Sequence, residues 1–374
     1  MAFKILIANR GEIALRALRA CRELGIKTVG VYSEIDKNLK HLKFADETVC
    51  IGPASPADSY LNIPAILSAA ELTEVDAIYP GYGFLAENYE FADQCNKSGF
   101  KFIGPSSETI QTMGDKITAK NYVEKYNIPI VPGFSDDIPD EESKVKDVVK
   151  KIGYPVILKA TSGGGGRGMR VVKEEENLIS LIEITKKEAL NSFGNERIYI
   201  EKYIENPRHI EIQIIGDGKG NAIHLGTRDC SLQRRHQKII EEAPAINLDT
   251  QSLNKTLEAC VNLCKEIKYE GAGTLEFLYE DNEFYFIEMN TRIQVEHPVT
   301  EMITGFDIVK AQIKIALGIN YDLEQSKINF KGHAVECRIN AEDPETFQPC
   351  PGLITKMHTA GGFGIRYEFT ESNF

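Results

Sequence analysis

Two short segments decide how this chain folds: LEFLY at residues 275–279 and FYFIEMNTR at residues 284–292. Each alternates in character as half-buried strands do, and the intervening Asp281-Asn282-Glu283 predicts a hairpin. We favour a three-residue loop because it gives one wholly apolar face, whereas a two-residue loop would mix the two faces. The facing apolar pairs are then expected to be Leu275 with Met289, Phe277 with Ile287, and Tyr279 with Tyr285.

The opposite face of this hairpin is expected to carry acidic side chains. Glu276 would lie directly opposite Glu288, with Asn290 two residues further along the second strand. Two unpaired carboxylates in facing positions repel each other unless a cation lies between them. Two carboxylates and an amide oxygen suit Mg²⁺ that is held together with nucleotide phosphates. The alternative is an exposed hairpin edge with scattered acidic residues.

Length and composition limit the class of protein. A chain of 374 residues favours two or three domains, and 42% hydrophobic with 26% charged residues is typical of a soluble globular protein. No apolar run approaches a membrane span, and the start is too short for a secretory signal, so no membrane association is expected. Because the eight cysteines form no Cys-x-x-Cys pair, neither a zinc site nor a disulfide framework is indicated, and a cytoplasmic location is expected.

The charge pattern bears on possible partners. A formal net charge of −12 argues against nucleic acid as a partner. One local exception is the basic run RDCSLQRRHQK at residues 228–238. In an acidic protein such a run would bind a small anionic ligand, or it is simply a solvated basic loop.

The first 115 residues alternate strands with helices. Lys4–Ala8, Lys27–Tyr32 and Asp76–Tyr79 have the apolar character of buried strands, and helical spacing separates them. This order predicts a Rossmann-like parallel α/β sheet. Ligands bind beyond the carboxyl ends of such strands, so the loops at Arg10-Gly11 and Gly81–Gly83 would face a cleft. The dinucleotide fingerprint Gly-x-Gly-x-x-Gly is missing after the first strand.

A glycine loop follows in the middle of the chain. The segment YPVILKA at residues 154–160 leads into TSGGGGRG at 161–168 and then into Met169–Val172, which predicts strand, loop and strand. A Walker loop would need Gly-Lys-Ser/Thr opening a helix. Successive glycines let backbone N–H groups approach a phosphate, and Lys159 and Arg167 favour that interpretation over a merely flexible hairpin.

These segments together resemble the ATP-grasp fold, and more specifically the biotin carboxylase family. The resemblance covers nearly the whole chain and implies α/β and α+β architecture. It implies a Rossmann-like N-terminal domain at 1–115, an ATP-grasp domain at 116–329 and the start of an incomplete β-rich C-terminal domain at 330–374. The motifs that carry it are IANRGEIA at 7–14, PGYGFLAEN at 80–88, MGDK at 113–116, the glycine loop, the basic run, FIEMNTRIQVEHP at 286–298 and HAVECRINAE at 333–342.

The resemblance also implies roles for individual residues. ATP would be bound by Lys116, Lys159, Gly165, Gly166, Glu201, Lys202, Tyr203, Ile204, His209, Gln233, His236, Glu276 and Glu288. Mg²⁺ (or Mn²⁺) would be held by Glu276, Glu288 and Asn290. Bicarbonate would be held by Lys238, Arg292, Gln294 and the backbone of Val295, with Glu296 as general base and Arg338 facing the ureido oxygen of biotin.

The activity that the resemblance implies is ATP- and bicarbonate-dependent carboxylation of biotin on a carrier protein through carboxyphosphate. This is the first half-reaction of acetyl-CoA carboxylase, which feeds malonyl-CoA and fatty acid synthesis. The implied partners are a biotin carboxyl carrier protein, carboxyltransferase subunits and a second copy of the chain in a homodimer. Family dimer contacts match Arg19, Glu23, Phe363 and Arg366.

The sequence departs from the family pattern at its end. Residues 351–368 still match, but Phe369–Phe374 diverge, so the third domain is expected to be represented only by its beginning from about Phe330. Two alternatives to an active biotin carboxylase therefore stay open. One is another ATP-grasp ligase of the carbamoyl-phosphate synthase type, and the other is an inactive, truncated nucleotide-binding chain.

Overall fold

The computed structural model describes residues 3–134, 138–139, 141–161, 168–319, 321–350, 352 and 354–369. The N-terminal part alternates strands and helices. Its elements are β1 (Lys4–Ile7), α1 (Gly11–Glu23), β2 (Lys27–Ser33), β3 (Glu47–Gly52), α2 (Ile63–Leu72), β4 (Ala77–Tyr79), α3 (Tyr89–Lys97), β5 (Lys101–Phe102) and α4 (Ser107–Gly114). The strands form one parallel sheet in the order β3-β2-β1-β4-β5, which confirms the expected Rossmann-like architecture.

The next part of the chain forms a small lobe. Its elements are α5 (Lys116–Glu124), β6 (Gly133–Phe134), α6 (Glu142–Ile152), β7 (Val156–Ala160), β8 (Met169–Val172), α7 (Leu178–Phe193) and β9 (Ile198–Lys202). The four strands form an antiparallel sheet in the order β6-β9-β7-β8. Helices α6 and α7 bury their apolar faces against this sheet through Val149 and Ile182, so the lobe has a core of its own.

A larger antiparallel sheet completes the fold. Its elements and the helices around them are β10 (Arg208–Asp217), β11 (Ala222–Arg234), β12 (Gln237–Ala243), α8 (Thr250–Glu266), β13 (Glu270–Glu280), β14 (Glu283–Asn290), α9 (His297–Thr304), α10 (Ile308–Ala316) and β15 (Ala334–Cys337). The strand order is β14-β13-β10-β11-β12-β15. Since β15 pairs with β12, the start of the expected third domain extends this central sheet.

Two hydrophobic cores fix how the layers sit. One combines Ile7 and Ile13 of the N-terminal part with Ile308 and Ile313 of α10, so the parallel sheet is anchored to the large sheet by buried aliphatic side chains. Full burial of one such side chain stabilises the fold by about 1.5–3 kcal/mol. The other core lies under the large sheet, between its strands and helices α5 and α8. None of the helices among the described residues has the length and apolar character that a membrane-crossing segment needs.

The β13–β14 hairpin confirms the central pairing but not the loop. Glu276 faces Glu288 and Leu275 faces Met289 as predicted. The three-residue loop was wrong, because Asp281 and Asn282 alone form the turn, both with positive φ as in type I′ turns. Glu280 consequently faces Glu283, and the other predicted apolar pairs are replaced by Phe277 with Phe286, Leu278 with Tyr285 and Tyr279 with Phe284.

A bulge at Ile287 reconciles the shorter loop with the predicted acidic pair. The register shifts by one residue between the pairs at Glu276 and Phe277, so Ile287 has no partner of its own and both faces keep their character. Phe277, Phe284 and Phe286 are buried on the apolar side. The strand ends at Asn290, and residues 291–296 form a loop that leads into α9.

Candidate active site

The carboxyl ends of β1 and β4 bring two loops together at one end of the parallel sheet. Asn9 Nδ2 donates hydrogen bonds to the carbonyl oxygens of Pro80 and Tyr82, both at 2.7 Å. The Tyr82 hydroxyl in turn donates to the Glu12 carboxylate at the start of α1. The two loops expected to line a cleft are therefore joined to each other, and their polar groups point toward the large sheet's β15, since Tyr82 interacts electrostatically with Arg338 and Glu336.

A lysine cluster lies between the small lobe and the hairpin. Lys116, the first residue of α5, is 3.1 Å from Glu288 Oε2. Lys159 on β7 lies 2.7 Å from Glu201 Oε2, and Lys120 contacts the other oxygen of the same carboxylate. Glu201 and Lys120 are almost fully buried. This arrangement gathers three ammonium groups where the sequence predicts the ATP phosphates.

The electrostatics of this cluster favour an anionic ligand. Burial, together with repulsion from Lys159 and Lys116, lowers the pKa of Lys120 to about 6. Burial and repulsion from Lys116 lower the pKa of Lys159 to about 8. Burial also lowers the pKa of Lys116, but its attraction to Glu288 is larger and the net pKa is raised. A polyphosphate would supply the missing negative charge and stabilise the protonated lysines.

A second cluster centres on the Lys238 ammonium group. Its Nζ lies 3.0 Å from Glu276 Oε1 and 2.7 Å from Glu296 Oε1, and it also contacts Glu211. Burial opposes the charge on Lys238, yet the three carboxylates raise its pKa above the ordinary value. Lys238 is therefore a fixed cation that holds side chains from β10, β13 and the loop after β14 around one point.

Glu296 connects this cluster to Arg338. Glu296 is only 2% exposed, and its Oε2 accepts a hydrogen bond from Arg338 Nη2 at 3.0 Å. Arg338 Nε donates to Glu241 Oε1 at 2.6 Å. Glu336, the neighbour of Glu241 across the β12–β15 ladder, has its pKa raised to about 8 by burial and by the charges of Glu241 and Glu296. Three carboxylates thus surround one guanidinium group beside the Lys238 cluster.

Arg292 is held from both domains. Its Nε donates to Glu87 Oε2 at 2.7 Å, and its Nη2 donates to Asn290 Oδ1 at 2.8 Å. The other oxygen of Glu87 accepts from the backbone N–H of Thr291 at 3.1 Å. The glutamate of the N-terminal PGYGFLAEN motif therefore fixes the loop that carries Arg292 and Glu296 relative to the parallel sheet.

The hairpin donor set fits a hard divalent cation. Glu276, Glu288 and Asn290 offer carboxylate and amide oxygens from adjacent strands, and Glu276 Oε1 accepts from Asn290 Nδ2 at 2.8 Å. Oxygen ligands of this kind suit Mg²⁺. His209 and Glu211 also approach Glu276, with ligand atoms within 4.8 Å of one another. There the Lys238 ammonium already contacts both carboxylates, so a positive charge occupies that position.

The structure places the other predicted ligands at different distances from these clusters. His209 Nε2 lies 2.9 Å from Glu276 Oε2; burial lowers its pKa, but hydrogen bonds to Glu211 and Glu276 outweigh this and raise it to about 9. Gln233 Nε2 lies 3.2 Å from His209 Nδ1. His236 is exposed in the turn between β11 and β12. Gly165, Gly166 and Arg167 lie outside the described residues.

The segment after β9 and the loop after β14 complete the predicted set. Lys202 Nζ donates to the carbonyl oxygens of Gly153 and Tyr154 at 3.1 and 2.9 Å, and the backbone N–H of Tyr203 donates to Pro155. Ile204 is half-buried directly after them. Val295 is half-buried between Gln294 and Glu296. Gln294 Nε2 donates to Glu276 Oε1 at 2.7 Å, so it belongs to the Lys238 cluster.

Sequence reasoning missed several partners of the predicted residues. Glu211, Glu241 and Glu87 each contact a predicted cationic side chain, and Arg228 lies fully buried among them. Arg228 stood in the basic run and Glu87 in the PGYGFLAEN motif, but neither position indicates a pairing by itself. Glu211 had one signal, since its carboxylate interrupts the otherwise apolar strand HIEIQII at 209–215.

Comparison with known proteins agrees with this geometry. The family model "Biotin carboxylase, N-terminal domain" matches residues 1–110, and "Carbamoyl-phosphate synthase L chain, ATP binding domain" matches residues 115–325. The biotin carboxylase of Haemophilus influenzae is 58% identical over 98% of this chain and 82% of its own length.

Solved structures show the same relationship. A crystal structure of a biotin carboxylase–β,γ-ATP complex from Campylobacter jejuni has a TM-score of 0.92 and 53% identity, covering 97% of this chain and 81% of that one. The biotin carboxylase domain dimer of Hydrogenobacter thermophilus 2-oxoglutarate carboxylase, in complex with MgADP, ADP and bicarbonate, has a TM-score of 0.92 and 51% identity, covering 98% and 81%. The chain belongs to the biotin carboxylase family.

Proposed function

We propose that this protein carboxylates biotin on a carrier protein, using ATP and bicarbonate through carboxyphosphate. The observation that carries the proposal is the buried Glu296 carboxylate, which lies between the Lys238 ammonium and the Arg338 guanidinium. A carboxylate between two fixed cations forms a site where one cation can hold an anionic substrate and the other can hold a developing enolate.

Activation of bicarbonate is assigned to Glu296. Bicarbonate is a weak nucleophile, and it attacks the γ-phosphate of ATP better once a carboxylate base has taken its proton. Lys238, Arg292 and Gln294 surround the position next to Glu296 and supply hydrogen-bond donors for the anion. Glu87 keeps Arg292 in place from the N-terminal part.

Transfer of the phosphoryl group is assigned to the lysine cluster and the hairpin. Lys116 and Lys159 would bind the ATP phosphates and balance their charge as the bond to the leaving ADP breaks. Glu276, Glu288 and Asn290 would hold Mg²⁺, which when bound neutralises phosphate charge. Carboxyphosphate forms when a bicarbonate oxygen bonds to the γ-phosphorus and ADP leaves.

Carboxylation of biotin is assigned to the Arg338 side of the cluster. Carboxyphosphate breaks down to CO₂ and phosphate, and the phosphate takes the proton from the ureido nitrogen of biotin. Arg338 would donate hydrogen bonds to the ureido oxygen as negative charge develops on it, and the nitrogen then bonds to CO₂. Tyr82 and Glu336 lie close enough to Arg338 to form the adjoining wall.

Bicarbonate-dependent release of ADP, with and without free biotin, tests this proposal. The account expects turnover that needs bicarbonate and rises with biotin. Turnover that depends on an amine instead would favour an ATP-grasp ligase of the carbamoyl-phosphate synthase type. ATP binding without turnover would indicate an inactive nucleotide-binding chain.

The final acceptor is proposed to be acetyl-CoA, as the sequence resemblance implies, with carrier protein and carboxyltransferase subunits as partners. A 2-oxoglutarate carboxylase role is the second candidate, because the Hydrogenobacter thermophilus domain is 51% identical. Reconstitution with each cognate carrier and carboxyltransferase, followed by labelled-carboxyl transfer to acetyl-CoA or 2-oxoglutarate, separates the two. The domain limits proposed for this chain are 1–115, 116–329 and 330–374.

A homodimer is also proposed. Phe363 is fully exposed, and Arg366 is ordered by a 2.7 Å ion pair with Glu301 of α9. Arg19 lies 4.0 Å from Glu368, so the matching positions fall on one surface next to α1. An exposed aromatic ring rimmed by ordered charges is typical of an interface. Analytical ultracentrifugation of the protein and of Phe363→Ala would measure the association.

Neutralising the hairpin carboxylates should weaken the metal requirement's source. We expect Glu276→Gln and Glu288→Gln each to lower turnover by about 100-fold and to raise the Mg²⁺ concentration needed for half-maximal rate. Glu283→Gln is the matched control, because Glu283 is exposed at the start of the same strand. Steady-state rates across a Mg²⁺ titration provide the measurement, and an unchanged Mg²⁺ dependence in both site variants would contradict the assignment.

Binding of ATP should take up protons near the pKa of Lys159. That pKa is about 8 in the free protein, and phosphate favours the charged form, so uptake on the order of half a proton per ATP is expected near pH 8. The sign follows directly: affinity falls as pH rises through the free pKa, because the neutral lysine must first be protonated. Calorimetric titrations in buffers of different ionisation enthalpy measure the uptake.

The matched control for this pH dependence is Lys159→Arg. A guanidinium group keeps its charge over the whole range, so the contribution of this position to proton uptake should vanish. Equal uptake by the original protein and the Arg variant would show that another group titrates.

A further inference from the structure

We propose that Arg228 is a positioning residue that sets the geometry of the bicarbonate site. The inference rests on the proposed function of Lys238 and Gln294, and it assigns a role to a side chain that touches neither ATP nor bicarbonate. Arg228 lies on β11 and is completely buried. It connects three strands, the loop before α9 and α9 itself through hydrogen bonds of its guanidinium group.

Every donor of this guanidinium has an acceptor. An arginine side chain has five N–H groups, and five acceptor atoms surround Arg228. They are Glu211 Oε2 at 2.9 Å from Nε, Gln213 Oε1 at 2.7 Å and Thr300 Oγ1 at 3.1 Å from Nη1, and Thr274 Oγ1 at 3.1 Å and Gln294 Oε1 at 2.6 Å from Nη2. A buried charge is tolerated when it is paired and fully hydrogen-bonded, as it is here.

The contact with Gln294 fixes which way its amide points. Because Oε1 accepts from Arg228, the NH₂ group must face the other way, and Gln294 Nε2 donates to Glu276 Oε1 at 2.7 Å. Without Arg228 the amide could rotate by half a turn and present its oxygen to the anion site. An oxygen in that position would repel bicarbonate, whereas the NH₂ group binds it.

The contact with Glu211 acts on Lys238 in the same way. Glu211 Oε2 accepts from Arg228, which leaves Oε1 to contact the Lys238 ammonium. Lys238 in turn is 2.7 Å from Glu296 Oε1. Arg228 thus governs two of the proposed bicarbonate ligands, one directly and one through a single carboxylate.

The geometry requires arginine and not merely a positive charge. The five acceptors lie around a planar fork, and the three donors of a lysine ammonium cannot reach all of them. A purely structural role would make Arg228 matter equally for every substrate. A positioning role affects bicarbonate alone, because Lys116 and Lys159 belong to the separate lysine cluster.

Steady-state kinetics of Arg228→Lys test the inference, with circular dichroism to confirm folding. We expect the KM for bicarbonate to rise by about tenfold or more, with the KM for ATP within about twofold. Thr300→Val is the matched control: it removes one acceptor of Arg228 that leads to neither Gln294 nor Glu211, and both KM values should stay within about twofold. Glu211→Gln cuts the link to Lys238 without removing the buried arginine, and it should raise the KM for bicarbonate in the same direction.

Folded Arg228→Lys with an unchanged KM for bicarbonate, or with both KM values rising together, would overturn the inference. If that variant does not fold, Glu211→Gln decides: an unchanged KM for bicarbonate then overturns it. Failure of the proposed function is distinguishable, since the unsubstituted protein would in that case show no bicarbonate-dependent turnover at all.

Discussion

Replacing Glu296 with Gln is expected to lower bicarbonate-dependent turnover by about 10²–10⁴-fold, the contribution typical of a positioned general base. The amide keeps the shape of the side chain but cannot accept a proton. It also leaves Lys238 and Arg338 without the carboxylate that lies 2.7 and 3.0 Å from them, so the two cations lose their shared partner. Initial rates of ADP release at saturating ATP and bicarbonate measure the loss.

Binding of ATP provides the internal control for this variant. Glu296 touches the Lys238 cluster and not the lysine cluster, so the Kd for ATP should change by less than about threefold. Glu266→Gln, an exposed glutamate near the end of α8, should leave both rate and affinity unchanged. Turnover of Glu296→Gln within tenfold of the original rate would exclude Glu296 as the base.

Replacing Arg338 with Gln is expected to separate the two halves of the reaction. Biotin-dependent turnover should fall by about 100-fold or more, since loss of one donor to a developing oxyanion has an effect of that size. Bicarbonate-dependent ATP cleavage without biotin should persist, because Lys238 still holds Glu296. The backbone of Arg338 stays in place through its N–H bond to Ile239, at 3.0 Å, so the substitution acts on the side chain alone.

Arg338→Lys refines this prediction. It keeps the charge but cannot donate to both Glu241 and Glu296 from one planar group, so an intermediate loss with biotin is expected. The measurement compares ADP release with and without free biotin for each variant. An equal loss in both assays would mean that Arg338 acts through Glu296 during bicarbonate activation and not on biotin.

The hairpin shows how far sequence alone could go. Alternation predicted that Glu276 faces Glu288, and the structure confirms it. The loop length was wrong because the turn residues Asp281 and Asn282 both adopt positive φ, which closes the hairpin in two residues. The bulge at Ile287 then restores the register, and a local irregularity of this kind leaves no mark in an alternating pattern.

The parallel sheet was predictable for a different reason. Its central strands β1 and β4 are buried on both faces and read as apolar runs. The edge strand β3 was not predicted, because most of its residues, such as Glu47 and Cys50, are exposed and give no buried pattern. The extension of the second hairpin strand beyond Asn290 was wrong, since residues 291–296 form a loop.

The pairings inside the site were beyond the sequence. Family motifs named Lys238, Glu296 and Arg338, but not Glu211, Glu241 or Arg228, which reach them from other strands of the same sheet. Such partners are set by cross-strand neighbours and not by spacing along the chain. Arg228 is the clearest case, because a residue within a basic run turned out to be completely buried.

Transfer of isotopically labelled carbon from bicarbonate to biotin tests the central claim most directly. The protein is incubated with ATP, Mg²⁺, ¹³C-bicarbonate and free biotin, and the product is analysed by mass spectrometry alongside ADP. The account predicts carboxybiotin that carries the label, formed only when ATP is present and lost in Glu296→Gln. Release of ADP without any labelled biotin would contradict it.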